Sequence, residues 1–164
     1  MKAKQIAGFT LVELIVVIVL LGVLAAVAIP RYANNTQQAR GAVLNGIAGS
    51  IRSSAAEVQG LYQIAYANST SGAPTTVTMR DGTVVAVSVG TGAGANGGLP
   101  SPVAGGIDHA ITLPAEISYD PTSQHFYYTA IGNIATCNVY YNTPAASGAN
   151  PITITAVTVT STGC

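Results

Sequence analysis

The chain has 164 residues, of which only 7% are charged: six basic and six acidic side chains, for a formal charge of zero. About 135 residues follow Ile29, one domain's worth, enough to bury a modest core. Residues 31–164 contain no basic run, which excludes a nucleic-acid surface built on phosphate neutralisation. A surface so poor in charge suits packing against copies of itself.

The N-terminal pattern carries most of the information. Gly8-Phe9-Thr10-Leu11-Val12-Glu13-Leu14 leads into a nearly unbroken apolar run ending at Ile29. Residues 9–29 form a helix of roughly 31 Å at about 1.5 Å per residue, which matches a bilayer core of about 30 Å. The leader before it, residues 1–8, contains Lys2 and Lys4 and no acid, so the positive-inside bias keeps this end cytoplasmic and sends the residues beyond Arg31 across the membrane. Glu13 is the anomaly in the run. A charge at a helix centre costs on the order of 2.5–3.5 kcal/mol, less near an end, and no Lys, Arg or His lies between Lys4 and Arg31 to pair with it. A secretory signal is cut after its apolar region at small residues, and Ala25, Ala26 and Ala28 imitate such a site. The small residue that stands out, however, is Gly8, ahead of the run.

In these features residues 1–30 resemble the leader and transmembrane segment of a bacterial type IV prepilin of the type IVa kind. The resemblance implies cleavage between Gly8 and Phe9 by a membrane prepilin peptidase on the cytoplasmic face. It also implies N-methylation of the new terminus to N-methylphenylalanine at Phe9. Loss of Lys2 and Lys4 leaves four basic and six acidic side chains, a balance of −2. Gly22 and Pro30 match the glycine and proline of the pilin helix. Both weaken a helix, Gly by about 0.8–1 kcal/mol relative to Ala and Pro by about 3 kcal/mol, so a kink or loosened stretch is expected between them. The cation available to Glu13 is the amino terminus at Phe9, on its own chain or, as the resemblance implies, on a neighbouring subunit. A carboxylate that snorkels or is protonated is the alternative.

Beyond Pro30 the helical period continues. Tyr32, Thr36, Ala39, Val43, Ile47, Ile51, Ala55 and Val58 recur at intervals of three or four and predict one face covered by a sheet, in a helix running from residue 9 to about 58. Arg40, Asn45, Arg52 and Glu57 lie mostly off this stripe, and Gly41, Gly46 and Gly49 are weak points.

After Gly60 the composition turns to Gly, Ser, Thr, Asn and Pro with short β-branched runs, the pattern of strands and loops. Residues 75–79 and 84–89 flank Arg80-Asp81-Gly82-Thr83. Asp-Gly predicts a two-residue type I′ turn, which places Val77, Met79, Val84 and Ala86 on one face and Val85 and Val87 on the other. Residues 90–98 read as a flexible glycine-rich loop, without the strand, helix and Lys that a phosphate-binding loop needs. Further strands are predicted at residues 125–130, 135–141 and 152–160, the last with a bulge at Ala156-Val157.

In an oxidising periplasm the two cysteines, Cys137 and Cys164, read as one disulfide, with free thiols or a metal site as the alternatives. A metal lacks co-ligands there, because residues 126–164 contain no Asp, Glu, His, Lys or Arg. The cysteine-closed loop, residues 137–164, resembles the disulfide-bounded region of type IV pilins. Cys-Asn-Val-Tyr-Tyr at 137–141, Thr-Gly-Cys at 162–164 and Asp-Gly-Thr at 81–83 are similar to the mannose-sensitive haemagglutinin type.

Catalytic constellations are poor. His109 and His125 have neither metal-site nor triad spacing. Asp108, Glu116 and Asp120 read as solvated loop acids, with a calcium site as the alternative. Tyr119, Phe126, Tyr127, Tyr128, Tyr140 and Tyr141 read as core aromatics, with a binding or charge-transport role as the alternative. Asn34-Asn35-Thr36 and Asn68-Ser69-Thr70 match the glycosylation pattern. No cofactor or metal is expected.

The combined expectation is an α+β, pilin-like chain. Residues 1–8 are a cleaved leader, 9–29 a transmembrane and filament-core helix, and 30–164 a periplasmic head on an antiparallel sheet. The resemblance implies a non-enzymatic subunit of a homo-oligomeric helical filament, in the inner membrane before assembly by the pilus machinery and extracellular afterwards, serving adhesion or motility. A type II secretion pseudopilin is the alternative, and a periplasmic binding or catalytic domain held by an uncleaved anchor is a further one.

Overall fold

The computed structural model describes residues 9–89, 97–132, 134–142 and 157–164. The chain divides into two units, Met1–Thr36 and Gln37–Cys164. Helix α1 (Leu11–Ala67) contributes its first part to one unit and its remainder to the other. The arrangement is α+β, with a long N-terminal helix followed by antiparallel sheets.

In the second unit α1 buries Leu44, Ile47, Ala48, Ile51, Ala55, Val58 and Tyr62. Each fully buried Leu, Ile or Val contributes about 1.5–3 kcal/mol. From Ile47 to Val58 this is the expected stripe. Nearer the N-terminus it runs one residue out of phase: Val43 is 38% exposed while Leu44 is sealed, and Tyr32 is 75% exposed. Val43 and Leu44 are adjacent and equally apolar, so periodicity alone does not choose between them.

Two sheets complete the unit. Strands β1 (Thr76–Thr78), β2 (Val84–Ser88) and β3 (Leu99–Pro100) form one, in that order. After the short helix α2 (Ile107–Ala110), strands β4 (Ile117–Asp120), β5 (His125–Tyr128), β6 (Asn138–Tyr141) and β7 (Val157–Thr160) form the other, antiparallel throughout. Both contribute to one core, where Val77, Val85 and Val87 of the first and Phe126, Tyr128, Val139 and Tyr141 of the second join the helical stripe. Pro100, which has no N–H to donate, sits on an edge strand, where that omission is tolerated.

The hairpin forms, but not through the predicted turn. The Gly82 N–H bonds to Met79 O and the Met79 N–H to Thr83 O, closing a three-residue loop with Gly82 at φ 88°. Gly82 alone takes a positive φ, whereas a type I′ turn needs it at Asp81 as well. The longer loop shifts the register by one, pairing Val77 with Val85 and Thr78 with Val84. A one-residue shift reverses the relative facing of the two strands. Val77 and Val85 therefore both face the core, and Val84 is half exposed.

The predicted strands at 125–130 and 135–141 are trimmed to β5 and β6. Ile131 and Gly132 turn back to the carbonyl of Tyr128, and the Asn138 amide donates to the carbonyl of Ile134. Of the strand at 152–160, only residues 157–160 are described, and the bulge at Ala156 lies outside the described residues, as does most of the 90–98 loop. Gly97 and Gly98 at the end of that loop are buried rather than free. Strands β3 and β4 and helix α2 have no counterpart among the predicted elements. Each has four residues or fewer, too short to show a period.

Candidate functional site

In the first unit the apolar run is wholly uncovered. Phe9 is 90% exposed, and no large hydrophobic residue from Leu11 to Ile29 is less than 46% exposed. Its mean hydropathy reaches 3.1, long and apolar enough to cross a membrane.

The helix start is built by two side chains. The backbone N–H and hydroxyl of Thr10 both donate to Oε2 of Glu13 at 2.9 Å, and the Glu13 N–H points back to Thr10 Oγ1 at 3.3 Å. This is a reciprocal capping box, with Thr10 as N-cap and Glu13 three residues on. It satisfies donors that the first helical turn leaves orphaned. One face of the Glu13 carboxylate is thus engaged within the subunit. The Thr-x-x-Glu spacing before an apolar run was the sequence signal for it.

Helix α1 continues unbroken through Gly22 and Pro30, so the loosened stretch expected there is not a feature of the subunit's secondary structure. Proline removes a single N–H donor, and the helical bonds on either side persist. A Cβ on Gly22 would meet nothing within 4 Å. The predicted cleavage residue Gly8 lies outside the described residues.

The second unit fastens its C-terminal segment to α1. Cys137 and Cys164 are bonded, with Cα atoms 4.9 Å apart and a sequence separation of 27. Around this bond, α1 supplies three long polar side chains. The Gln37 amide donates to the carbonyls of Ser161 (3.2 Å) and Thr162 (3.0 Å), the Arg40 guanidinium to the backbone oxygen of Cys164 (2.6 Å), and Arg52 to the carbonyl of Val157 (3.0 Å). The Arg40 guanidinium carbon also lies 5.9 Å from the centre of the Tyr128 ring. Gly41 lets the segment come close, since a Cβ there would stand 3.2 Å from that of Ser161. Gln37, Arg40 and Arg52 were not foreseen, because nothing local marks a side chain that reaches a backbone over a hundred residues away.

The remaining candidates separate. No three His, Cys, Asp or Glu gather into a metal-binding group among the described residues. Asp108 Oδ2 accepts from the Gly105 N–H, while Asp120 accepts from the Thr122 N–H and the Ser123 hydroxyl. The Ser123 hydroxyl and Thr122 amide hold the Asp120 carboxyl below its usual range. The Tyr119 hydroxyl donates to the carbonyl of Pro102, and its phenol is pushed far up by burial and by the nearby charges of Asp108 and Asp120. The aromatics are mostly core: Phe126 and Tyr141 are sealed, and the Tyr119 and Phe126 rings stack at 4.4 Å.

Comparison with known proteins adds to this geometry. Residues 3–29 match the family described as the prokaryotic N-terminal methylation motif. The chain is 47% identical over 53 residues to the type IV narrow pilus major component PilA5 of Thermus thermophilus, covering 32% of this chain and 43% of that protein. It is 44% identical over 46 residues to the type II secretion system core protein G of Pseudomonas aeruginosa, covering 28% of this chain and 32% of that protein. The matches thus span less than half the length of these relatives. No solved structure matches the chain.

Proposed function

We propose that this chain is a structural subunit of a type IV pilus, assembled by burying residues 9–29 in a bundle of identical helices. The observation that carries the reading is an exposed apolar helical run, residues 11–29, lying within a methylation motif that spans residues 3–29. Such a surface is satisfied first by the membrane and then by copies of itself. Prepilin peptidase cleaves after Gly8, Phe9 is methylated, and the inner-membrane assembly machinery extracts the subunit into an extracellular filament for adhesion or motility. The capping bonds engage only Oε2, which leaves Oε1 of Glu13 for a further donor, and the Phe9 amine of a neighbouring subunit supplies it. Residues 126–164 carry no Asp, Glu, Lys, Arg or His, which leaves this part of the head without charged side chains.

The likeness to a secretion protein supports a second reading, a pseudopilin sharing the leader and helix. Mass spectrometry of the purified protein tests the processing: a chain beginning at methylated Phe9 is expected, and one that retains residues 1–8 refutes it. Deleting the gene then separates the readings. Loss of surface filaments with secretion intact supports the pilus, and loss of secretion with filaments intact supports the pseudopilin.

A further inference from the structure

The segment after β7 is positioned by bonds that do not involve sulfur. The Gln37 amide engages the carbonyls of Ser161 and Thr162, the Arg40 guanidinium the backbone oxygen of Cys164, and the Gly163 N–H donates to the carbonyl of Thr136 at 2.9 Å. Each of residues 161–164 is thus held by a polar contact of its own. Just ahead of them, Thr160 of β7 is in register with Asn138 of β6. The contact between Gly163 and Thr136 matters most, because these residues directly precede Cys164 and Cys137 in the chain. The backbone alone brings the cysteines side by side.

The two cysteines are not equivalent. Cys137 has no exposed surface, whereas Cys164 is only partly buried. Disulfides form by attack of a thiolate on a donor disulfide through a mixed-disulfide intermediate, and access helps decide which thiol attacks. A donor cannot reach a sealed side chain in the folded chain. It can reach Cys164.

We infer that Cys164 is the exchange-active thiol of this pair and Cys137 its resolving partner, with Gln37 and Arg40 as the positioning residues that present one to the other. The Cys164 thiol gives up its proton, and the thiolate attacks one sulfur of a small disulfide such as oxidised glutathione. A mixed disulfide forms on Cys164, and the donor's other half leaves as a thiolate that takes up a proton. The Cys137 thiolate, formed by loss of its own proton, then attacks Sγ of Cys164 and expels the second half, which is protonated in turn. Two protein thiols are oxidised and one donor disulfide is reduced to two thiols. Docking of residues 161–164 makes the second step a reaction between groups already aligned, the condition under which effective concentrations are high. In this order of events the segment docks before the sulfurs join. The inference does not depend on filament assembly, because every group lies within the unit Gln37–Cys164 of one chain.

The test uses the full-length chain in detergent, reduced and then exposed to oxidised glutathione, with mass spectrometry of acid-quenched samples. Under native conditions Cys137→Ser, which keeps Cys164, should form its glutathione adduct at least about tenfold faster than Cys164→Ser, which keeps Cys137. In concentrated urea the two rates should converge, since the difference comes from the fold. With both cysteines present, Gln37→Leu combined with Arg40→Met should slow closure of the mixed disulfide by at least about tenfold, because neutral and charge-assisted hydrogen bonds are lost together. Capture of glutathione by Cys164 should be no slower in that variant, a separation of the two steps that general destabilisation does not produce. Equal native rates in the two single-cysteine variants, faster capture at Cys137, or wild-type closure in the double variant overturns the inference. A reduced chain that does not fold gives the first of these results, because its native and urea rates then coincide.

Discussion

The guanidinium of Arg40 donates to the backbone oxygen of Cys164 across 2.6 Å, joining positions 124 residues apart. The segment after β7 is therefore held twice over, by the disulfide to the residue before β6 and by Gln37 and Arg40 to α1. Because a charged donor strengthens a hydrogen bond, Arg40→Met, which keeps the packing stem, should destabilise the oxidised protein by about 1.5–3 kcal/mol. Urea unfolding in detergent measures this. An unchanged midpoint would mean that the contact is idle.

Replacing both Cys137 and Cys164 with Ser removes the covalent closure of a 27-position span. The chain-entropy account gives a loss of about 3–4 kcal/mol. Gln37, Arg40 and Arg52 remain, so the variant should unfold earlier yet still protect the amides of β7 from exchange. Hydrogen exchange checks the protection, and alkylation of the native protein checks that no free thiol is present.

Gly98 has φ 102°, and a Cβ there would come within 2.4 Å of the Tyr62 ring. Tyr62 is fully buried and has no room to retreat. Gly98→Ala should cost about 1–3 kcal/mol through overpacking, with strain in addition. The comparison is Gly72→Ala, which also has a positive φ but open space around it and so isolates the strain. Equal losses in the two thermal melts would remove the steric argument.

The hydrogen bonds from Ser123 and Thr122 lower the pKa of Asp120. A depressed carboxylate stabilises the fold at pH above its ordinary value of 3.8, and that contribution fades as pH falls through the lower folded value. A carboxyl-carbon NMR titration should place its midpoint below 3.8. Ser123→Ala should raise it, and an unmoved midpoint would refute the assigned cause.

Glu13 has two roles to separate, capping its own helix and receiving a neighbour's amine. Thr10→Val removes the cap hydroxyl, at about 1 kcal/mol, and leaves the carboxylate. Glu13→Val removes both. Filament counts by electron microscopy should fall sharply for Glu13→Val and modestly for Thr10→Val. Equal losses would assign Glu13 to capping alone.

The parts of this fold that read from the sequence are those fixed by local chemistry. The length of the apolar run, the β-branched run of β2, the aromatic run of β5 and the cysteine pair each carry a signal within a few residues. The turn at Asp81-Gly82 shows where this fails: a two-residue and a three-residue loop share the same glycine, and only packing selects the register that buries both Val77 and Val85. Leu44 in place of Val43 is the same kind of choice. Arg40 and Arg52 lie off the apolar stripe, and nothing local marks their contacts, because their acceptors are backbone oxygens, which every residue has.

Tyr141 and Val157 are paired across adjacent strands, so the chain leaves β6 and returns to β7 at nearly the same place. Both ends of this excursion are anchored independently of its content, by strand pairing, by the disulfide and by α1. Each doubling of such a closed loop costs only about 0.6 kcal/mol in closure entropy. The pairing of Tyr141 with Val157 therefore sets where β7 begins whatever the length of chain that joins them, so the register of the sheet is insulated from changes in that length.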